Sequence, residues 1–404
     1  MSTSLLYHAW GIRGYEYEST SYVVGEVLFM IRQPRVKLRC PRCGTADVSA
    51  RGVTPRVFRS LPIGGRPVRI GLDVPRVHCP KCEITRQVRI GFAEERRQHT
   101  RAFARYAVEL TRWMTVQDVA RHLQVSWDLI KSLKKADLAR RFRQPKLRHL
   151  KHLAIDEICI GRGHRYRTLV LDLDSGAIVF VGEGKGAAAL TPFWKRLKSS
   201  AARIRAVAVD MSPAFTRAVT ENLPDAWLVY DRFHVVKLFN EKLSDLRREL
   251  YREATTLLHK KVLKGTRWLL LRNPENLDDA KGERRRLEDA LKLNESLALA
   301  YYLKEDLRQF WEQNDWATAS RFLTRWIRKA EASGIRILQD FAKTLAIHRR
   351  GLLAWYYYRI STGPLEGTNN KIRALTRQAY GFRDIEYFIL QLYALHETRY
   401  QLVG

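Results

Sequence analysis

The stretch Leu153–Val181, LAIDEICIGRGHRYRTLVLDLDSGAIVFV, constrains this chain more than any other. It holds three apolar runs, Leu153–Ile160, Thr168–Leu173 and Ala177–Val181, the last two separated by the turn signal Asp174-Ser175-Gly176. Runs of this length bounded by turn residues read as consecutive strands, the second and third forming a hairpin. Asp156 falls in the middle of the first, amid Ala154, Ile155 and Ile158. A carboxylate there is costly to bury unless it is hydrogen-bonded, paired or bound to a cation. Strand alternation sends its neighbour Glu157 to the opposite face, so Glu157 is not expected at the same site.

The residues beyond Val181 supply a reason for the acid. The pattern continues with a helix over Ala187–Ser199, a strand over Ile204–Val209, a helix over Pro213–Asn222, a strand over Trp227–Tyr230 and another helix. The order βββαβαβ is that of an RNase H-like α/β fold, in which the first and fourth strands lie side by side. Asp210 ends the fourth strand, so the topology is expected to bring its carboxylate to that of Asp156. Two facing carboxylates repel unless a proton or cation intervenes, and a divalent metal is the natural solution. Residues 241–360 then read as all helix and rich in Lys and Arg, an insertion that interrupts the sheet domain. Its tryptophans, Trp268, Trp311, Trp316, Trp326 and Trp355, read as core anchors, with Trp355 the candidate for stacking on unpaired DNA. Past it, Gly363-Pro364 marks a turn and Glu366 opens a helix on which Asn369 or Asn370, Arg373 and Arg377 share its face. Glu366 is thus a candidate third metal carboxylate, although an acid is also welcome at a helix N-terminus for electrostatic reasons alone.

The rest of the chain points to nucleic acid. The net charge is +30 and the pI about 10.2, the footprint of a polyanion binder. Residues 1–150 hold 29 Lys and Arg against 12 Asp and Glu, over half of the excess. No apolar run reaches the ~18 residues of a membrane span, and the N-terminus lacks a signal-peptide pattern, so a cytoplasmic protein without a membrane partner is expected. Cys40-Pro-Arg-Cys43-Gly44 and Cys79-Pro-Lys-Cys82 are two C-x-x-C knuckles able to close a tetrahedron around a structural Zn²⁺. Four thiolates leave no open position for chemistry. Strand-like pieces between them, Val57-Phe58 and Val68–Leu72, suggest a zinc ribbon. Cys159, in the Asp156 strand, reads as a small core residue.

From about Thr100 the period turns helical, with Phe103, Tyr106, Ala107 and Leu110 on one face. Thr115 can cap a helix with Asp118 at the capping-box position. Gln124-Val125-Ser126 makes a short turn, and Ser126 caps a second helix carrying Trp127, Lys131, Lys134 and Lys135. This is a helix-turn-helix pattern whose second helix would enter a major groove. The basic run Arg140–Lys151 reads as a linker able to lie along phosphates.

Taken together, the paired CPxC ribbon, Val119-Ala-x-x-Leu-x-Val-Ser126, IDEI at Asp156, AVDM at Asp210, DRFHVVK at Asp231–Lys237, and EGTNNKIR from Glu366 followed by AYGFRD resemble the DDE transposases of the ISL-three family of insertion sequences. The resemblance runs nearly end to end. One departure is Thr362-Gly363, where the family usually has Asn-Gly. The resemblance implies a DNA transposase that binds the ends of its insertion sequence, with Asp156, Asp210 and Glu366 as the catalytic triad. These would hold two Mg²⁺ (Mn²⁺ being possible) for cleavage and strand transfer. It assigns Asp231 and His234 a supporting role, and Asn370, Lys371 and Arg373 a place beside the DNA. Double-stranded DNA at element ends and target is the implied partner, with a homodimer or higher oligomer joining two ends. The implied division is 1–95 zinc ribbon, 96–151 helix-turn-helix and basic linker, 152–240 first part of the core, 241–360 helical insertion, and 361–404 the helix completing the core. The rival readings are a non-catalytic zinc-ribbon/helix-turn-helix regulator and an RNase H-like structure-specific nuclease.

Overall fold

The computed structural model describes residues 5–161 and 165–401, which group into two units, 1–141 and 142–404.

In the first unit a short helix, α1 (Leu5–Trp10), precedes the hairpin β1 (Glu16–Val23) and β2 (Glu26–Arg32). A longer hairpin pairs β3 (Ser49–Ile63) with β4 (Arg66–Cys79), Ile63 facing Arg66. Between them Gly64 and Gly65 take φ +54° and +80°, a turn that two consecutive left-handed residues make and that side chains disfavour. The short β5 (Ile84–Gln87) pairs with β4, and the sheet order is β1-β2-β4-β3. The strand-like fragments in the sequence are therefore parts of a larger sheet. Its core joins Trp10, Phe29, Phe58, Val68 and Ile70, and the indole of Trp10 donates to the carbonyl of Leu61 at 3.1 Å.

Three helices complete this unit: α2 (Arg101–Leu110), α3 (Val116–His122) and α4 (Trp127–Phe142). Phe103, Ala107, Val119, Ala120, Leu123 and Ile130 form their core. All three are capped by a hydroxyl, α3 and α4 where the sequence suggests. The Thr100, Thr115 and Ser126 hydroxyls accept the amides of Phe103, Asp118 and Leu129 at 3.1, 3.1 and 3.2 Å. Gln124 turns the chain between α3 and α4 with φ 51°.

The second unit is built on β6 (His152–Cys159), β7 (Tyr166–Asp172), β8 (Ile178–Glu183), α5 (Thr191–Lys198), β9 (Ala206–Val209), α6 (Pro213–Asn222) and β10 (Trp227–Tyr230). The sheet order is β10-β9-β6-β7-β8. Strands β6, β7 and β8 pair antiparallel in succession, while β6, β9 and β10 run parallel. The helix expected from Ala187 begins instead as a 3-10 turn, Ala187–Leu190, with the α-helix starting at Thr191 and Pro192 in its first turn. Proline lacks an amide hydrogen and is best tolerated in a first turn, so it marks that start.

After β10 come α7 (Arg232–Glu253), α8 (Leu257–Gly265), α9 (Arg267–Leu271), α10 (Glu283–Lys292), α11 (Glu295–Arg308), α12 (Trp316–Glu331), α13 (Arg336–Ile347) and α14 (Arg349–Leu353). No strand occurs among the described residues of this segment. Its core is continuous with one face of the sheet: Leu153, Ile155 and Val207 belong to the same cluster as Phe239, Trp326 and Phe341. Trp326 is fully buried and donates to the Leu303 carbonyl at 2.9 Å. The other sheet face carries Ala154, Ile158 and Ala208. It packs against α15 (Gly363–Gln378) and α16 (Ile385–Gln401) through Leu365, Ile372, Phe388 and Leu392.

Cys159 departs from expectation. It closes β6 and is exposed, its thiol donating to the Gly161 carbonyl at 3.4 Å; at the strand's last position the sheet no longer covers it.

Candidate active site and zinc knuckles

Parallel pairing sets Asp156 beside Asp210. Ala154 lies opposite Ala208 across β6 and β9, and each aspartate stands two residues further along the chain, Asp156 still within β6 and Asp210 just past the end of β9. Both therefore belong to the Ala154/Ala208 face, the one covered by α15. Asp156 is partly buried. Loss of water raises its carboxyl above the usual range, and the negative charge of Asp210 adds to this. The Glu157 amide, the nearby His234 and the Asn369 amide work the other way. The donors are explicit: the Glu157 amide reaches Asp156 Oδ1 at 2.7 Å and Asn369 Nδ2 reaches Oδ2 at 3.0 Å. Asp210 Oδ1 accepts the Ser212 amide at 3.0 Å, which holds its side chain at the strand end.

Glu157 points to the other face, where Oε1 accepts the Gly186 amide at 2.8 Å. Burial raises its pKa as well, with Asp210 and Asp156 adding to the effect. It is an electrostatic neighbour of the pair, held away by its own hydrogen bond.

Helix α15 carries the rest. Asn369 is buried, at 4% exposure, and its Oδ1 has no hydrogen-bond partner among the described residues. Glu366 lies one turn earlier and is exposed. Among the described residues, the one group of three or more His, Cys, Asp or Glu side chains close enough to share a metal is the cysteine set. The structure thus brings Asp156 and Asp210 together, docks α15 on Asp156 through Asn369, and leaves Glu366 at the helix start outside a compact carboxylate cluster. Helical periodicity cannot choose between the adjacent Asn369 and Asn370; only the seating of α15 on β6 does. Asn370, Lys371 and Arg373 are exposed, with Arg373 donating to Asn370 Oδ1 at 2.9 Å.

Asp231 is 2% exposed. It caps α7 by accepting the His234 amide at 3.4 Å and accepts the Thr362 amide at 3.1 Å. One carboxylate therefore ties the end of β10 to the start of α15, a link of 131 positions in sequence. Next to it, the Tyr230 hydroxyl bonds to Thr216 Oγ1 at 3.0 Å and His348 Nδ1 at 2.9 Å. Trp355 is half-buried, edge-on to Tyr356 at 5.1 Å with the Arg359 guanidinium 5.3 Å from its ring.

In the first unit, Cys40, Cys43, Cys79 and Cys82 place their sulfur atoms within 4.8 Å of one another. Cys43 and Cys79 are 3.7 Å apart, close to the edge of about 3.8 Å that a tetrahedron with Zn–S bonds of ~2.3 Å requires. Ionisation is uneven. Amide donors, that of Cys43 foremost, bring the Cys40 thiol down to about 6, while the Cys43 thiol foremost pushes Cys82 up to about 12. Four thiolates need a central cation, and zinc fits the donor set. On α4, Trp127 is 43% exposed with Lys131 Nζ 5.2 Å from its ring. The Ser126 hydroxyl is engaged in its cap, Lys135 is half-buried, and burial lowers the Lys134 pKa.

A cysteine knuckle pair and a helix-turn-helix, followed by a sheet with two carboxylates on adjacent strands, define an enzyme that works on DNA, and the matches to known proteins make that class transposases. Family models match in three segments: the transposase domain over residues 153–392, the helix-turn-helix domain of transposase family ISL3 over 88–133, and the zinc finger of transposases IS204/IS1001/IS1096/IS1165 over 37–82. The chain belongs to the ISL3 family of transposases. It is 34% identical over 394 residues to the transposase for insertion sequence element IS1001 of Bordetella parapertussis, covering 95% of this chain and 96% of that one. It is 32% identical to the transposase for IS1557 of Mycobacterium tuberculosis, covering 85% and 82%. No helix among the described residues is long and apolar enough to cross a membrane.

Proposed function

We propose that this transposase cuts and joins DNA by in-line displacement at a site formed by Asp156, Asp210 and Glu366, which would together hold two Mg²⁺ ions, Mn²⁺ being an alternative. The observation that carries this reading is the pair of aspartates, Asp156 within β6 and Asp210 just past the end of β9, that the Ala154–Ala208 register brings together, with α15 docked on Asp156. The strand order β10-β9-β6-β7-β8 supports an RNase H-like core over residues 152–240, interrupted by a helical insertion over 241–360 and completed by 361–404. Residues 1–95 would be the zinc-ribbon domain and 96–151 the helix-turn-helix with its basic linker.

Bound divalent metal would activate the attacking oxygen and neutralise the leaving one, and oxygen ligands suit Mg²⁺. The chain's own groups do the rest. Asp156 is held by two hydrogen bonds, so its remaining lone pairs face a fixed direction. Asn369 Oδ1, buried without a partner among the described residues, is a neutral oxygen beside the acids. Asp231 anchors the start of α15, and with it Glu366, and caps α7 at the His234 amide. Lys371 and Arg373 on the exposed face would position the phosphodiester. Water attacks phosphorus at an element end, the 3′-oxygen leaves and takes up a proton, and the freed 3′-hydroxyl then attacks the target phosphodiester. No protein–DNA covalent bond is formed. Joining two ends implies a dimer or larger assembly.

The test uses purified protein with element-end DNA and Mg²⁺. Asp156→Asn should abolish nicking and spare DNA binding; undiminished nicking would overturn the assignment. DNA supplied with a free 3′-hydroxyl should give joined product, whereas a structure-specific nuclease would yield none.

A further inference from the structure

The N-terminal unit contains a groove of 1190 Å³ that involves neither the four zinc-binding sulfurs nor the exposed residues of α4. Its walls are the first cysteine knuckle, β3, the end of β5 and the segment running from Val88 into α2. Seven arginines line it against two carboxylates, Glu94 and Glu95. Two of the seven are engaged within the protein. Arg56 donates to the Arg97 carbonyl at 2.8 Å and lies over the Phe58 ring, and Arg101 pairs with Glu94 at 2.8 Å. The other five, Arg42, Arg86, Arg89, Arg96 and Arg97, are exposed and have no carboxylate partner among the described residues.

Guanidinium groups crowded into one concavity repel each other, and Glu95, the one lining carboxylate left over, cannot offset five of them. Their fork of N–H donors matches the oxygens of a phosphate diester. The groove is far larger than one phosphate needs, and its arginines come from four separate segments. A ligand satisfying them must present several phosphates in succession, as duplex DNA does with a charge every ~1.7 Å. We propose that this arginine groove is a DNA-binding surface for the phosphodiester backbone, additional to α4, which holds the duplex without reading its bases. This deepens the transposase reading by giving its N-terminal unit a backbone clamp alongside the base-reading helix.

The experiment compares the full-length protein with the triple variant Arg86→Gln, Arg89→Gln, Arg96→Gln. All three side chains are exposed and make no hydrogen bond among the described residues, and zinc content and melting temperature verify the fold. Binding to an element-end duplex and to an unrelated duplex of equal length is measured across a salt series. The expected result is an affinity loss of roughly tenfold or more on both duplexes, with the slope of log K against log salt shallower by about 0.9 per phosphate contact removed. Lysine at the same three positions should restore much of the affinity and slope. A control, Lys131→Ala in α4, tests the base-reading helix separately. Unchanged affinity and slope in a zinc-replete triple variant would overturn the groove, as would a loss confined to the element-end duplex. Absence of duplex binding by the unmodified protein would instead count against DNA recognition by this unit as a whole.

Discussion

Asp156 and Asp210 stand side by side because Ala154 pairs with Ala208 on the neighbouring parallel strand, two residues before each acid. That register brings the two carboxylates together, Asp156 from within β6 and Asp210 from the residue after β9, where the Ser212 amide holds it. It also puts both on the face covered by α15, whose Asn369 reaches Asp156.

Burial beside a second acid has a cost when no cation is present. The raised pKa of Asp156 means that the folded state holds its proton to a higher pH than the unfolded chain does. The carboxylate therefore opposes folding above the folded pKa, and the penalty fades as pH falls through it. Asp156→Asn is expected to melt higher than the unmodified protein in EDTA at neutral pH, the difference narrowing towards pH ~4. The same variant should lose on the order of a thousandfold or more in Mg²⁺-dependent strand transfer. Thermal melts and a joining assay check the two halves of this trade.

Asp231 serves as a clamp between elements. Asp231→Ala leaves the buried Thr362 amide without an acceptor and removes the α7 cap, at a cost of roughly 2–4 kcal/mol. Asp231→Asn keeps an acceptor oxygen and should recover much of that stability. Denaturant unfolding of the two variants separates this role from direct metal binding, for which Asn would behave much like Ala.

Gly351 lies against the Tyr230 ring, and a β-carbon there would overlap two of the ring's atoms. Gly351→Ala must displace Tyr230, and overpacking of this kind costs about 1–3 kcal/mol. Since Tyr230 directly precedes Asp231, strand transfer should fall along with stability. Urea unfolding and the joining assay, run on the same preparation, should show both losses.

Cys79 is fully buried beside the other knuckle. Cys79→Ser is expected to reduce bound zinc from about one ion per chain to well below it, to unfold residues 36–90 and to weaken recognition of the element end. Metal analysis and limited proteolysis would show it, and full zinc occupancy in the variant would contradict the tetrahedral assignment.

The caps of α3 and α4, the cysteine spacing and the strand succession from Leu153 to Tyr230 were legible because each rests on local chemistry: a hydroxyl three residues before an amide, two thiols on one turn, apolar runs between turn residues. Pro213–Asn222 and Trp227–Tyr230 match their expected bounds. The 3-10 entry to α5, the length of the β3–β4 hairpin and the exposure of Cys159 were not legible. Each depends on what packs alongside, and local pattern does not record it.

The sequence by itself determined the two acids, through their strands, and the family, through motifs spread along the whole chain. Only the tertiary structure decided that Asn369, and not Asn370, meets Asp156, and that Asp231 binds the start of α15. Helix periodicity places both asparagines near one face, but the rotation of α15 about its axis is set by Leu365 and Ile372 packing on β6, a contact between segments far apart in the chain.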